Sequence, residues 1–247
     1  MNLMRHKWTR PEKPNSFPQM QLLTAKNMSL VLLIAFAIIV PLSGQNAEEI
    51  LQSARMNPTS HPSVLRAQIR SDGHLTPLTI RLRDRVVSYE FTHPEQSIFL
   101  KLDQKDTSIS EKLDGKIRTL TESRLHENIR DTGVTYEDLS LGFLYWPRPI
   151  LQGEQTIRRC PAWKIDLQAP TGESLYGAAR VWINKDSGAI LRIEGYDKKG
   201  LLLRRFEVVS VQKIDELWML KQMRIESFLP GNPDPITRCY LEVMGKN

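Results

Sequence analysis

Residues 65–70 read LRAQIR, residues 78–83 read LTIRLR, and Asp72-Gly73 lies between them. In both segments apolar and polar residues alternate strictly, so an extended chain would turn all the apolar side chains to one face. Asp-Gly is a favoured pair for the tight turn of a β-hairpin. The two segments therefore predict antiparallel strands with one apolar face and one solvated face.

The same alternation recurs along most of the chain, and turn-forming Gly, Pro, Asn and Asp residues separate the segments. The strands do not follow a βαβ rhythm, which favours an antiparallel meander of about eleven strands in a mainly β fold with some α (α+β). A curved sheet of this size must close on itself, stack, or be filled by other elements. The predicted strands are 65–70, 78–83, 87–91, 98–102, 116–120, 163–167, 175–183, 189–196, 201–214, 217–228 and 236–244.

A short helix is predicted ahead of the first strand. Asn46 is a favoured N-cap residue, Glu49 stands at the third helical position, and apolar residues follow at near-helical spacing. Asn57-Pro58 ends the pattern, so the helix covers about residues 47–56.

A second helix is predicted in the middle of the β pattern. Thr135 and Asp138 form a variant of the capping box, and Pro147 ends the helix. The polar stretch from Asp103 to Thr135 is interpreted as an excursion from the sheet. The large apolar residues of the helix fall at helical spacing: Tyr136, Leu139, Phe143 and Trp146.

The first 45 residues have the order of an export signal. Lys26 precedes eleven uninterrupted apolar residues, 30–40, and Pro41 ends the run before small residues. Eleven apolar residues fall short of the roughly 20 that a membrane-spanning helix needs. We therefore predict a targeting segment over residues 1–45, with a permanent single anchor as the alternative, and a single domain over residues 46–247 that works outside the cytoplasm.

Most of the net charge belongs to the same segment. The chain has 34 basic and 28 acidic side chains, a net charge of +6, but residues 46–247 hold 29 basic and 27 acidic ones, a net charge of +2. So small a charge gives weak support for binding polyanions, and no nucleic-acid partner is expected. The basic clusters are interpreted as solvated strand faces and turns: Arg81, Arg83 and Arg85, Arg158-Arg159, Lys198-Lys199 and Arg204-Arg205. Steering toward an anionic membrane surface is the alternative.

The sequence lacks the common catalytic and metal-binding motifs. It contains no Gly-x-Ser-x-Gly, no Gly-x-x-x-x-Gly-Lys and no Gly-x-Gly-x-x-Gly, and no His lies three or four residues from another His or Cys. We therefore predict no catalytic site, no metal and no cofactor. The acidic pair Glu137-Asp138 is explained by helix capping and by the helix dipole better than by catalysis.

A short opening helix (NAEEIL, residues 46–51) followed by an antiparallel meander in an exported chain resembles the outer-membrane lipoprotein-sorting family, the LolA-like proteins. The likeness is most specific in TGVTYEDLSLGFLYW, residues 132–146, which is followed by strands with VWIN at residues 181–184 and by Lys199-Gly200. It covers about residues 46–244. The resemblance implies an incomplete antiparallel β-barrel of about eleven strands, lidded by short helices, as in LolA, LolB and RseB-like proteins.

The resemblance also implies a function. Family carriers shelter the acyl chains of lipid-modified cargo in an apolar interior and take it across the periplasm without catalysis. The expected partners are a lipid or lipidated protein, an inner-membrane donor and an outer-membrane acceptor, and we expect a periplasmic monomer. Each methylene removed from water is worth about 0.8 kcal/mol, so a few acyl carbons supply useful affinity.

Two other functions stay open at the level of the sequence. Regulatory relatives with the same half-barrel act as envelope-stress sensors, which would require a stable protein partner. A hydrolase would use Glu137 or Asp138 as its catalytic carboxylate.

Strand alternation and helix phase select candidate residues for the interior. No cargo-release residue of the family is matched to a position in this chain. The candidate lipid-binding residues are Leu65, Ile69, Leu78, Ile80, Leu82, Tyr89, Phe91, Leu139 and Phe143.

The two cysteines, Cys160 and Cys239, would be free to form a disulfide in an oxidising compartment, and two separate thiols are the alternative. Cys160 is in phase with Lys164 and Asp166, so pairing would require a bulge at Pro161.

Overall fold

The computed structural model describes residues 46–56, 62–103, 106–170 and 174–246. The predicted export signal, residues 1–45, lies outside the described residues. Within the described ranges, thirteen strands form one sheet in which all neighbouring strands are antiparallel.

The strands are β1 Ser63–Ser71, β2 His74–Arg83, β3 Val86–Phe91, β4 Gln96–Leu102, β5 Thr107–Leu113, β6 Lys116–Thr119, β7 Ile150–Ile157, β8 Cys160–Gln168, β9 Ala178–Asn184, β10 Ile190–Tyr196, β11 Leu202–Ile214, β12 Leu217–Phe228 and β13 Pro235–Lys246. The helices are α1 Ala47–Met56, α2 Glu122–Leu125, α3 Tyr136–Ser140 and a 3₁₀ helix, Gly142–Tyr145.

The order of strands across the sheet is β6-β5-β4-β3-β2-β1-β13-β12-β11-β10-β9-β8-β7. The first and last strands of the chain therefore pair in the middle of the sheet, and the two edges, β6 and β7, are consecutive in the chain. The sheet stays open between these edges, which confirms the predicted open antiparallel architecture. Residues 120–149, here called the cover segment, connect one edge to the other and carry α2, α3 and the 3₁₀ helix.

The sheet has thirteen strands where about eleven are predicted, because β5 and β7 have no clear apolar alternation. In β5 the two most buried residues are Ile109 and Glu111, so a carboxylate occupies a position where the pattern requires an apolar residue. Strand β7 lies at the edge and is exposed along most of its length. Residues 107–113 therefore belong to the sheet and not to an excursion.

Alternation sets the two faces of the sheet. In β1 and β2 the paired residues Leu65 and Ile80 are buried, while the pair Arg66 and Thr79 lies on the other face. We call the buried side the inner face. Helix α1 packs against it and contributes the fully buried Leu51 to the core. The predicted N-cap of α1 is confirmed, because the amide of Glu48 donates to Oδ1 of Asn46 at 3.2 Å.

The middle helix begins as predicted but ends earlier. Thr135 and Asp138 form both hydrogen bonds of a capping box, the first of them from the Asp138 amide to Oγ1 of Thr135 at 3.1 Å. Leu141 then adopts a left-handed conformation with φ of 50°, which ends α3 at Ser140. The chain continues as the 3₁₀ helix, so Leu139 and Phe143 lie on two short helices and not on one.

Candidate functional site

The nine candidate lipid-binding residues all lie in one apolar cluster. Seven are buried in it, and Tyr89 and Leu139 are half-buried and pack against it. Two elements outside the sheet complete this cluster, namely α1 and the cover segment. The alternation of the first strands thus places their apolar residues on the inner face, and binding of a lipid there remains a prediction.

The apolar side of the cover segment fills the space over the inner face. Phe143 and Leu144 of the 3₁₀ helix are buried. The Phe143 ring makes edge-to-face contacts with Trp146, at 6.4 Å between ring centroids, and with Tyr176, at 6.1 Å. Tyr176 comes from the loop between β8 and β9, so the aromatic contacts join the cover segment to the sheet.

The cover segment is also held by a buried carboxylate. Asp138, the capping-box residue of α3, has a fully buried side chain, and its Oδ1 accepts a hydrogen bond from the Tyr176 hydroxyl at 2.6 Å. Its Oδ2 accepts from the Thr135 amide at 2.9 Å and lies 3.1 Å from Nη2 of Arg204. One side chain therefore caps the helix and anchors it to the strand that carries Arg204.

Arg204 lies on β11 and reaches the cover segment from the sheet. Its side chain is only 12% exposed, and it donates to the Gly133 carbonyl at 3.1 Å and to the Ser227 hydroxyl. Burial alone would lower the pKa of Arg204, but the adjacent Asp138 carboxylate, together with Tyr176, raises it. The guanidinium therefore keeps its charge inside the fold.

The neighbouring acid, Glu137, anchors a different part of the sheet. Its carboxylate accepts from the Ser174 hydroxyl at 2.5 Å and from the Leu175 amide at 3.2 Å, and it lies 3.5 Å from Nε2 of His126. Glu137 and Asp138 thus both hold the loop before β9 against α3. Their surroundings are those of anchoring groups, which agrees with the interpretation of the pair as structural.

A second buried carboxylate lies near the β6 edge. Glu111 of β5 is 1% exposed and accepts from the Tyr136 hydroxyl at 2.6 Å and from the Gln96 amide at 2.7 Å. Arg118 and Arg124 lie 3.1 and 3.2 Å from its other oxygen. Burial would raise the pKa of Glu111, but these hydrogen bonds together lower it to about 2. The start of α3 is therefore fixed to β5 by an ionised group.

Helix α1 makes a comparable polar contact with the cover segment. Arg55 is buried, and its Nε and Nη2 donate to the Leu144 carbonyl at 2.9 and 2.6 Å. The guanidinium also lies over the Tyr145 ring, 4.8 Å from its centroid. Polar contacts therefore hold the cover segment at β5, at β11, at the loop before β9 and at α1.

The sequence interpretation of Arg204 was wrong. Arg204 and Arg205 are predicted together as solvated residues, but in the structure only Arg205 lies on the outer face, where it pairs with Glu194 at 2.9 Å. Arg204 shares the phase of the buried Phe206, and this alternation is the signal that identifies it as inward-facing. The same signal, the phase of Ile109, would have identified Glu111.

The possible disulfide is not formed, and both thiols are free. Cys160 begins β8, while Cys239 is buried in β13, and four strands separate β8 from β13 in the sheet. A disulfide requires Cα atoms within about 7 Å, which strands so far apart in one sheet do not offer. Burial raises the pKa of Cys239 to about 11.

The part of the chain that the structure describes has neither a metal-binding cluster nor a membrane-spanning helix. It contains no group of three or more His, Cys, Asp or Glu side chains placed to hold a metal ion. None of its helices is long and apolar enough to cross a bilayer.

The chain is similar to several known proteins. A family model described as "Uncharacterized protein" matches residues 110–233, half of the chain. Among curated proteins, no sequence matches. A putative outer membrane lipoprotein-sorting protein domain from Vibrio parahaemolyticus is 18% identical with a TM-score of 0.61, over 80% of this chain and 91% of that one.

Two other solved structures are similar to this chain over about the same share of its length. A LolA superfamily protein from Nitrosomonas europaea is 16% identical with a TM-score of 0.57, over 81% of this chain and 92% of that one. A DUF1329 family protein from Desulfovibrio piger is 18% identical with a TM-score of 0.57, over 80% of this chain and 91% of that one. At these identities the likeness establishes a shared fold.

Proposed function

Because the chain belongs to the family whose model matches residues 110–233 and has a LolA-like fold, we propose that it is a non-enzymatic carrier of lipids or lipidated proteins in the periplasm. Acyl chains would lie against the inner face, among the nine candidate residues. Residues 46–247 would act as one domain, and residues 1–45 would direct its export.

The observation that carries this proposal is the construction of the cover over the inner face. An open sheet presents a continuous apolar surface, and the part of the chain that covers it between the two edges consists of short helices in residues 120–149. Phe143 and Leu144 occupy that surface in the structure. An acyl chain offers the same kind of contact, at about 0.8 kcal/mol for each buried methylene.

In this proposal cargo enters between the inner face and the cover segment. The cover segment moves away from the inner face as the acyl chain enters, and its apolar side chains then pack on the acyl chain, so little apolar surface meets water at either stage. The polar contacts of Asp138, Glu137, Glu111 and Arg55 oppose this movement, because they must break before the cover segment can leave. They therefore determine the free energy that the movement requires. Release to an acceptor follows when the cover segment returns to its place.

The proposal is tested on protein recovered from an extracytoplasmic fraction. Native mass spectrometry is expected to find acyl-chain ligands bound, and a fluorescent fatty-acyl probe is expected to bind in competition with them. Protein that is always empty, with no affinity for the probe, would contradict the proposal.

A pair of variants locates the site. Leu139→Gln places an amide on the cover segment where the half-buried leucine packs against the inner-face cluster, and we expect it to weaken probe binding about tenfold. Leu75→Gln makes the same chemical change at a side chain that is 56% exposed at the start of β2, and serves as the control. Equal effects of the two substitutions would place the probe elsewhere.

A further inference from the structure

The hairpin formed by β11 and β12 continues past its backbone pairing with β10 and β13. β11 pairs with β10 only up to Glu207, and β12 pairs with β13 only from Gln222. Residues 208–221, here called the ribbon, therefore pair with neither β10 nor β13. Within the hairpin, β11 and β12 pair around the turn at Asp215-Glu216, from Ile214 opposite Leu217 to Val208 opposite Met223. One face of the ribbon packs against the inner-face cluster through Ile214 and Met219, and Gln212 donates to the Val243 carbonyl of β13 at 2.8 Å, so the other face is the one left to solvent.

The ribbon carries a large aromatic side chain in solvent. Trp218 is 72% exposed, the highest value among the large apolar residues that the structure describes, and Val211 is 52% exposed. Lys213 lies directly opposite Trp218 in the register, and Val211 lies two residues before Lys213. These three side chains share one face of the ribbon, since cross-strand partners and alternate residues point to the same side.

Basic residues lie beside the ribbon. Arg158, in the turn between β7 and β8, donates to the carbonyls of Val208 and Val209 at 3.4 and 3.3 Å, which places Arg158-Arg159 beside the ribbon. The two acidic residues of the turn, Asp215 and Glu216, are already paired with Lys246 and Lys213.

The ion pairs leave an excess of positive charge. Within the described ranges, Arg158, Arg159 and Lys221 have no acidic side chain at ion-pair distance. The ribbon, together with Arg158, Arg159 and Lys246, therefore holds five basic and two acidic side chains. The chain from residue 46 onward, in contrast, is near neutral overall.

We propose that the ribbon is a membrane-docking element that places Trp218 in the interface of an anionic lipid bilayer. An exposed indole prefers the boundary between headgroups and acyl chains, where its ring is buried and its N–H stays hydrated. Basic side chains beside it are attracted to the negative surface of such a bilayer. The charge excess disfavours a basic or neutral partner, and the exposed indole favours a lipid interface over an acidic protein surface. The inference goes beyond the carrier proposal, because docking requires no bound cargo.

The test uses the full chain and vesicles of phosphatidylcholine with about a quarter phosphatidylglycerol, in which the phosphatidylcholine carries brominated acyl chains. The composition of residues 1–45 also favours bilayer binding, and that segment contains Trp8, so the measurement is made in a Trp8→Phe background, where quenching reports on the environment of Trp218. We expect bromine to quench part of the tryptophan emission, and we expect Trp218→Phe to remove most of that quenched part. Salt at about 0.5 M should reduce the quenching when Trp218 is present.

Two matched double variants test whether vesicle binding depends on the basic residues beside the ribbon or on basic residues anywhere on the surface. Arg159→Ala with Lys221→Ala removes two charges beside the ribbon, while Lys198→Ala with Lys199→Ala removes two in the turn between β10 and β11, at the opposite end of the strands. We expect the first pair to lower vesicle affinity about tenfold and the second to leave it nearly unchanged. Quenching that is identical with and without Trp218→Phe would overturn the proposal. Self-association without lipid that Trp218→Ala abolishes would overturn it in favour of a second copy of the chain.

Discussion

The carboxylate of Asp138 in α3 and the guanidinium of Arg204 in β11 lie 3.1 Å apart inside the fold, and 66 positions of chain separate them. Both partners have further hydrogen bonds, so the pair is satisfied as well as buried. A pair of this kind contributes less net stability than its geometry suggests, but removal of one partner leaves an uncompensated buried charge. The pair is therefore one of the contacts that fix the position of the cover segment, and the one whose loss leaves a buried charge.

Arg204→Met should lower the free energy of unfolding by about 3–5 kcal/mol, because it leaves the Asp138 carboxylate buried without its cation. Adding Asp138→Asn to this variant should recover part of the loss. Urea unfolding monitored by circular dichroism measures both effects. Arg83→Met is the control, since Arg83 and its partner Asp84 are each 81% exposed, and it should change stability by less than about 0.5 kcal/mol. An additive effect in the double variant would show that the two side chains are not coupled.

Periodicity was sufficient to predict the fold where each strand has one apolar face. Strands β1 to β4 alternate with few exceptions, and the capping box at Thr135 and Asp138 predicted the start of α3 correctly. The sequence interpretation failed where a charged residue occupies an inward position, as Glu111 does in β5 and Arg204 in β11, because a charge in the inward phase was not interpreted as buried. Such residues are tolerated only because partners distant in sequence, Tyr136 and Asp138, satisfy them, and local pattern carries no information about those partners.

Gly195 lies under the ring of Tyr176. A Cβ at this position would lie 2.5 Å from Cε1 and 2.6 Å from Cδ1 of the tyrosine. Gly195→Ala should therefore displace the ring, weaken its hydrogen bond to Asp138, and cost about 1–3 kcal/mol of stability. Thermal or urea unfolding measures this loss.

The Tyr176→Ala background provides the control for this substitution. With the ring removed, the added methyl group meets no obstacle, so Gly195→Ala should cost less than about 0.5 kcal/mol there. The same cost in both backgrounds would mean that the backbone at position 195, and not the ring, requires glycine.

The Glu111 carboxylate should make stability sensitive to acid. Its pKa is lowered from 4.5 to about 2 in the folded protein. A group whose folded pKa is depressed stabilises the fold fully above its unfolded pKa, and this contribution is lost as the pH falls through the folded pKa. Wild-type stability should therefore fall between about pH 4.5 and pH 2, by about 3 kcal/mol from this group.

Glu111→Gln tests this assignment because the amide cannot titrate. The variant should be less stable than the wild type at pH 7, and the difference between the two proteins should shrink steadily below about pH 4.5. Urea unfolding at several pH values measures it. Glu90→Gln is the matched control, because Glu90 is a half-exposed acid on the outer face of β3 beside Arg81. This variant should lose stability below about pH 4.5 in the same way as the wild type. A constant difference between wild type and Glu111→Gln at all pH values would assign the acid sensitivity to other groups.

The two thiols should differ sharply in reactivity. Cys239 is buried in β13 and burial raises its pKa to about 11, so little thiolate is present near pH 8 and reagents have no access to it. Cys160 is partly exposed at the start of β8. Iodoacetamide at about pH 8 should therefore label one thiol in the folded protein and two in urea, and peptide mass spectrometry should identify the first as Cys160. The Cys160→Ser variant should show no labelling until it unfolds. A wild-type protein from an oxidising compartment that releases thiols only after reduction would contradict the free state of both cysteines and the strand order that keeps them apart.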